Sequence, residues 1–339
     1  MTMYISKFRK LSLAAAMGAA ALFGGLFPSG ATFLNPYAHT ETLSISGAAE
    51  AQYIGQKTDA IFKPAAAPAR AASADYEVPQ GWSRENLNWN GVSVEKYSAQ
   101  NPASSRTVFF LHGGGYIGGL HNRYRDWGVH QGDLAGAAAL LAIDYRIAPE
   151  HTYPAALDDA VAAYKGALAA GYDPGQMVLV GDSAGGNLAA ALALYLRDHQ
   201  IPLPKAIVLI SPWADMGNTL PSRSQNFQKD QILGAKNVRL GGEIARPSYT
   251  GTASLTDPYL SPAYADLTGL PPVLITAGGN ELFLDDTALL AAHAKAAGAL
   301  VQYTIYPGMS HDWTILLPEL PESAAMNQEI HDFITRHVK

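Results

Sequence analysis

Residues 181–185 read G-D-S-A-G, a spacing that can make a serine nucleophilic. The apolar run Gln176 to Val180 precedes them and predicts a buried strand, while the Ala- and Leu-rich stretch after them predicts a helix. A tight turn between a strand and a helix, with glycine at both outer positions, exposes the serine hydroxyl and directs the N–H of Ala184 toward it. This arrangement suits attack of Ser183 on an ester carbonyl. The alternative is a glycine-rich turn whose serine only caps the helix.

A serine nucleophile needs a base, and the best placed of the ten histidines is His311. It follows the last predicted strand, Val301 to Tyr306, on a loop that contains Pro307 and Gly308. A side chain on this loop can reach the carboxyl ends of the strands. No H-E-x-x-H spacing occurs in the chain, so we predict no metal site.

The base in turn needs a carboxylate that orients its ring. Glu281 lies in the loop directly after the predicted strand Pro272 to Thr276. Asp285 and Asp286 lie where the next helix begins, a position at which acidic residues also serve as caps. We therefore predict Glu281 as the acid and keep Asp285 as the second choice.

Three successive glycines follow the predicted strand Arg106 to Leu111. Glycine lets backbone N–H groups approach a ligand closely, as binding of a developing oxyanion requires. We predict that either Gly114 and Gly115, or Gly113 and Gly114, bind the oxyanion together with the N–H of Ala184.

The same glycines allow a second class of function. Residues 113–118 match G-x-G-x-x-G after a strand, and Asp144 lies near the end of the following strand, which is the pattern of a dinucleotide site. Residues 119–123, however, look like a loop and not the start of a helix. A dinucleotide site would also leave Ser183, Glu281 and His311 without a role, so we predict no cofactor.

Composition excludes several other classes. The net charge is −6 and no basic stripe occurs, which argues against a nucleic-acid partner. The chain contains no cysteine, so disulfides, thiolate catalysis and thiolate metal sites are excluded. Its 339 residues can bury a sizeable core as one large or two small domains.

The first thirty-one residues have the pattern of a secretory signal peptide. A basic start, Lys7 to Lys10, precedes the apolar run Leu11 to Phe27, and Ser29 to Ala31 offers small residues for cleavage. We predict cleavage near Ala31, export to the periplasm or the medium, and no stable membrane span afterwards. The alternative is an uncleaved membrane anchor, because the run approaches the minimum spanning length of about 17 residues.

Strand-like and helix-like stretches alternate from Gly91 onward, which predicts a mainly parallel sheet flanked by helices. Each candidate catalytic residue follows a strand, at the sheet edge where ligands bind. Residues from Thr32 to about Asn90, before this pattern, are irregular. The stretch Asp215 to Pro258 interrupts the pattern and is polar with scattered Gly and Pro, as in a lid. We therefore predict a signal peptide (1–31), an N-terminal cap segment (32–90), a cap insertion (215–258) and a core in two parts (91–214 and 259–339).

Together these segments resemble the hormone-sensitive-lipase-like branch of the α/β-hydrolases, from about Arg106 to the C-terminus. The motifs that carry the resemblance occur in the family's order: His112 to Gly115, Asp144 to His151, Pro154 to Asp159, Gly181 to Gly186, and Asp257 to Pro262. The resemblance implies an α/β-hydrolase fold with a cap built from the N-terminus and the insertion. It also implies ester hydrolysis without a cofactor, usually on short acyl chains, and frequent dimers through the edge of the last strand. The family more often carries Asp where this chain has Glu281.

We therefore predict a carboxylesterase that acts on a small-molecule ester, with a homodimer as a possible assembly. Ser183 is the predicted nucleophile, His311 the base and Glu281 the acid, and the reaction proceeds through an acyl-enzyme. A lipase or amidase of the same fold, or a non-catalytic ligand-binding homologue, remains as an alternative. The aromatic residues nearest the motifs are predicted to line an apolar pocket: Tyr116, Trp127, Trp213 and Trp313.

Overall fold

The computed structural model describes residues 35–38, 40–61 and 76–339. The predicted signal peptide and its cleavage site lie outside the described residues. Among the residues that are described, no helix is both long and apolar enough to cross a lipid bilayer.

Eight strands form one mixed sheet in the order β1-β2-β4-β3-β5-β6-β7-β8. The pairs β1–β2 and β2–β4 are antiparallel, and all other neighbours are parallel. The parallel part brings the carboxyl ends of β3, β5, β6, β7 and β8 to one edge. The strands are β1 (Trp82–Trp89), β2 (Val92–Ala99), β3 (Thr107–Leu111), β4 (Ala139–Asp144), β5 (Met177–Asp182), β6 (Ala206–Ile210), β7 (Val273–Gly278) and β8 (Val301–Tyr306).

Helices cover both faces of this sheet, which explains why the central strands are apolar without alternation. All five residues of β3 are buried: Val108 and Phe110 face one core, and Phe109 and Leu111 face the other. Helices α3, α4 and α7 belong to the second core, and α2 and α9 to the first. The helices are α1 (Gly47–Ile61), α2 (Asn122–Ala135), α3 (Ala155–Ala169), α4 (Ser183–Asp198), α5 (Ser222–Gln225), α6 (Val238–Ala245), α7 (Leu284–Ala296), α8 (Trp313–Leu316) and α9 (Pro321–His337).

The fold class predicted from the sequence is confirmed, but strand β1 and helix α2 were not predicted. Strand β1 lies in the segment expected to be loose, although it pairs with β2 along its whole length, from Trp82 opposite Ala99 to Trp89 opposite Val92. Helix α2 begins at Asn122, inside the stretch expected to be a loop. It buries Arg125 and other polar residues, so its hydrophobic period is weak in the sequence.

The two irregular segments take different positions. The insertion carries α5 and α6 and contributes side chains to the cavity described below. The described part of the N-terminal segment packs on the region of α8 and α9. The hydroxyl of Tyr37 donates to the carbonyl of Ile315 at 3.0 Å, and the N–H of Leu43 donates to the carbonyl of Glu319 at 2.8 Å.

Candidate active site

The turn between β5 and α4 has the geometry that its glycines predict. Ser183 is the first residue of α4 and adopts a left-handed backbone with φ of 53°. A Cβ at Gly181 would lie 2.3 Å from the carbonyl oxygen of Gly185, and one at Gly185 only 2.0 Å from that of Leu111. No side chain fits at either position. The Ser183 hydroxyl contacts a histidine and does not cap α4, which removes the capping alternative.

Three predicted side chains converge at the carboxyl edge of the sheet. His311 Nε2 lies 2.8 Å from Ser183 Oγ, and His311 Nδ1 lies 4.0 Å from Glu281 Oε2. The second distance exceeds a hydrogen bond by about 1 Å and is that of an ion pair. Glu281 is held in place because Oε2 accepts hydrogen bonds from Ser211 Oγ at 2.6 Å and from the N–H of Gly278 at 3.0 Å.

Asp285, the second choice for the acid, lies elsewhere. Its Oδ2 accepts the N–H of Ser222 at 2.7 Å, which ties α5 of the insertion to the start of α7. Its neighbour Asp286 forms an ion pair with the buried guanidinium of Arg223 at 2.6 Å. Of the three competing carboxylates, the structure brings only Glu281 to the imidazole.

Burial and neighbouring charges shift the pKa values of both His311 and Glu281. Burial raises the pKa of Glu281 to about 8, against the opposing effects of His311 and of the Ser211 hydroxyl. Burial alone would lower the pKa of His311, but the carboxylates of Asp312 and Glu281 outweigh it and raise this pKa to about 9. The imidazole therefore sits in a dry site dominated by carboxylates.

The structure corrects the prediction for Gly113. Its N–H donates to Asp182 Oδ1 at 3.2 Å and is therefore not available to an oxyanion. A Cβ at this position would lie 2.1 Å from Asp182 Oδ2 and 2.7 Å from the hydroxyl of Tyr124, so the glycine is required for this close approach.

Gly114 and Gly115 line the cavity beside Ser183, with φ angles of 102° and 65°. The carbonyl of Gly114 accepts the N–H of Gly118 at 2.9 Å, which closes the loop into a tight turn. Ala184 lies in the first turn of α4, where N–H groups have no partner within the helix. The structure thus favours the first predicted set, in which Gly114 and Gly115 join Ala184.

A cavity of about 140 Å³ opens beside Ser183 and His311. Trp213 lines it, as predicted, and stacks on Phe283 with ring centroids 5.4 Å apart. His121, Arg123, Tyr124 and Glu243 add polar groups to its lining. The apolar lining residues come mainly from the insertion and the loops after the strands: Trp213, Ile232, Leu233, Ile244, Phe283, Ile315 and Leu316.

The other three predicted pocket residues lie in the core and do not line this cavity. The hydroxyl of Tyr116 donates to Asn187 Oδ1 at 2.6 Å. The ring centroid of Trp127 lies 5.1 Å from that of Tyr37. Trp313 packs against Tyr306 at the same centroid distance. Proximity to a motif along the chain did not indicate the direction of these side chains.

Sequence reasoning missed two aspartates. Asp230 in the insertion accepts the N–H groups of Ile232 at 3.0 Å and Leu282 at 2.9 Å, so it ties the cap to the loop that carries Glu281. No motif surrounds Asp230 in the sequence. Asp312 directly follows His311 in the sequence, and this adjacency could have indicated it. Its carboxylate also contacts the imidazole.

Known proteins share this fold. The family model described as alpha/beta hydrolase fold matches residues 108–315. The crystal structure of an esterase from the bacterial hormone-sensitive lipase family aligns with a TM-score of 0.75 and 35% identity, covering 87% of this chain and 100% of that one. This chain belongs to the hormone-sensitive-lipase-like α/β-hydrolases.

Relatives of this hormone-sensitive-lipase-like chain carry the names of ester hydrolases. An acetyl-hydrolase of Streptomyces hygroscopicus is 42% identical over 217 residues, which cover 64% of this chain and 71% of the relative. An esterase of Acinetobacter venetianus is 32% identical over 247 residues, covering 72% and 79%. The predicted enzyme class, a serine ester hydrolase of the carboxylesterase type, is confirmed.

Proposed function

We propose that this carboxylesterase cleaves short-chain acyl esters of small molecules through an acyl-enzyme formed on Ser183. The observation that carries the proposal is the 2.8 Å contact between Ser183 Oγ and His311 Nε2 at the wall of an apolar cavity. The acetyl-hydrolase and esterase names of the relatives support it.

In the first half-reaction, Ser183 Oγ attacks the ester carbonyl while His311 Nε2 accepts the hydroxyl proton. Negative charge develops on the carbonyl oxygen and is bound by the N–H groups of Gly114, Gly115 and Ala184. The ring then donates its new proton to the departing alcohol, which leaves the acyl group on the serine.

In the second half-reaction, water takes the place of the alcohol. His311 removes a proton from this water, and the resulting hydroxide attacks the acyl carbon. Glu281, fixed by Ser211 and Gly278, stabilises the imidazolium through its Nδ1 side. The acid is released and the serine regains its proton.

The size of the cavity favours short acyl chains. Its volume of about 140 Å³ is close to that of an apolar protein cavity of about 150 Å³ that admits benzene. We therefore expect kcat/KM for p-nitrophenyl esters to be highest for acyl chains of up to about six carbons. For the dodecanoyl ester we expect a decrease of about tenfold or more.

Two leucine variants test whether the cavity sets this limit. Leu233→Ala removes a lining side chain and is expected to shift the preference toward longer esters. Leu267→Ala removes a buried leucine outside the cavity and is expected to leave the preference unchanged. Highest turnover on long, insoluble esters would indicate a lipase, and faster cleavage of the matching anilides would indicate an amidase.

We further propose that the protein forms a homodimer through β8. This strand is the last in the sheet, and its exposed side includes Ile305, which is 44% exposed, while the preceding Leu300 is 58% exposed. Sedimentation equilibrium is expected to give twice the chain mass, and Ile305→Lys to give the monomer. A monomeric wild type would disprove this assembly.

We also propose that the mature protein is exported after cleavage near Ala31, on the basis of the charge and hydropathy pattern of the first thirty-one residues. N-terminal sequencing of the protein recovered outside the cytoplasm is expected to begin close to residue 32. An intact N-terminus in a membrane fraction would instead support the uncleaved anchor.

A further inference from the structure

A second carboxylate reaches the imidazole on the same side as the serine. Asp312 Oδ2 lies 2.9 Å from His311 Nε2, and Ser183 Oγ lies 2.8 Å from the same nitrogen. Glu281, by contrast, faces Nδ1 on the other side of the ring. One nitrogen atom therefore has two oxygen partners of different kinds, a hydroxyl and a carboxylate.

The distance between Asp312 and the ring determines where a proton lies. A separation of 2.9 Å is that of a charge-assisted N–H···O bond. An ionised carboxylate and an imidazole lone pair would repel each other at this distance, so one proton lies between Oδ2 and Nε2. While this proton is present, Nε2 has no lone pair free to accept the hydroxyl proton of Ser183.

The backbone holds Asp312 in this position. Its φ of 46° and ψ of 32° place it in the left-handed region, which aspartate tolerates better than most residues. Its N–H donates to Ser211 Oγ at 3.4 Å, and this same hydroxyl donates to Glu281 Oε2. Ser211 thus links the backbone of Asp312 to the carboxylate of Glu281. The Asp312 side chain is 10% exposed, so solvent does not readily replace the contact.

We propose that Asp312 is a positioning residue that shares a proton with Nε2 of His311 in competition with Ser183, so that the serine is activated only after this proton has left to solvent. This inference rests on the proposed function, because it takes His311 as the general base. It assigns Asp312 a regulatory part in the reaction, distinct from that of Glu281.

Other ionisable groups surround the imidazole or its two carboxylates. Burial raises the pKa of Asp182 and of Tyr124 well above their ordinary values. The titratable and charged groups that face this cluster are Glu281 in the loop after β7, Asp230 in the insertion, whose Oδ1 accepts the N–H of His311 at 3.4 Å, Asp182 at the end of β5, Tyr124 in α2 and Arg223 in α5.

The electrostatic balance agrees with the geometry. Burial lowers the pKa of His311, but Asp312 opposes this most strongly, ahead of Glu281 and Asp230, and the pKa rises to about 9. Since this pKa lies above neutral pH, the ring of His311 is mainly protonated at neutral pH. The free base, and with it activity, gains population as the pH rises toward 9.

The experiment measures kcat/KM against pH for the full chain and for two variants, Asp312→Asn and Asp312→Gly. Both replacements accept a left-handed backbone, so neither strains the turn. In the wild type we expect the acid limb to lie in the alkaline range. In both variants we expect this limb to move down by at least about one pH unit. At neutral pH, kcat/KM relative to its alkaline plateau would then rise about tenfold.

Glu243→Gln is the matched control, since it removes a carboxylate from the same cavity but not from the ring. The acid limb of its kcat/KM profile is expected to lie at the same pH as in the wild type. The inference is overturned if the wild-type limb lies at the ordinary value of histidine, if the Asp312 variants leave the limb in place, or if Glu243→Gln moves it equally.

A measurement independent of turnover separates failure of this inference from failure of the proposed function. NMR of ¹⁵N-histidine-labelled protein, with the His311 signals assigned by their loss in His311→Gln, follows the protonation of the ring directly. We expect both ring nitrogens to stay protonated at neutral pH in the wild type, and one proton to be lost at lower pH in Asp312→Asn. A neutral wild-type ring at neutral pH overturns the inference even if no ester is cleaved.

Discussion

Replacement of Ser183 by alanine is expected to lower kcat for ester hydrolysis about a millionfold. The hydroxyl that lies 2.8 Å from His311 Nε2 is the only atom at the turn that can form the acyl-enzyme. What remains in the variant is binding of the substrate and of the oxyanion, which gives a small residual acceleration over water. The measurement is steady-state hydrolysis of p-nitrophenyl acetate or butyrate by wild type and variant.

Ser83→Ala is the control for this experiment. Ser83 is an exposed serine of β1 whose hydroxyl donates to the carbonyl of Ser98 at 3.4 Å, and its loss is expected to leave turnover unchanged. Labelling of the wild type with a phosphonate ester, followed by peptide mass spectrometry, should place the adduct on Ser183. Turnover that survives in Ser183→Ala would assign the nucleophile to another residue. Absence of any Ser183-dependent turnover in the wild type would support a non-catalytic homologue.

Glu281→Gln is expected to lower kcat about ten-thousandfold, the loss typical when the acid of such a triad becomes an amide. The amide cannot stabilise the imidazolium, and its N–H₂ group favours the wrong tautomer of His311. Glutamine has nearly the same shape as glutamate, so its amide oxygen can still accept the hydrogen bonds that Ser211 and Gly278 donate to Oε2. The measurement is kcat for a short-chain ester at alkaline pH, where the free base is populated.

Asp285→Asn serves as the matched acid-to-amide control. Asp285 accepts the N–H of Ser222 and does not reach His311, so we expect the variant to retain most of its activity and to lose some stability. Urea unfolding of both variants separates these effects. The assignment of Glu281 is wrong if Asp285→Asn abolishes turnover while Glu281→Gln does not.

Local sequence was sufficient to predict most strands of the sheet. The run at β6, Ala206 to Ile210, is apolar throughout and five residues long, and the observed strand has the same bounds. Parallel strands buried on both faces are nearly continuous apolar runs, so their sequences are distinctive. Strand β1 is different because it lies at the edge of the sheet and carries polar residues, and only its pairing with β2 defines it.

The chain by itself determined the reactive residues at the turn and on the last loop. Gly181, Ser183 and Gly185 identify the turn because no side chain fits at the outer positions, and His311 follows the last strand. The order of the strands then requires that the residues after them meet at one edge. These are local and topological constraints, and both can be read from a sequence.

Only the tertiary structure decided which partner each neighbouring group contacts. Asp182 accepts the N–H of Gly113, Asp285 accepts the N–H of Ser222 in the insertion, and the carboxylate of Asp312 contacts the imidazole. Each outcome depends on distances of about 3 Å between segments far apart in the chain or on the direction of a single side chain. Such distances are set by the packing of helices and loops on the sheet, which residue types and their spacing do not specify.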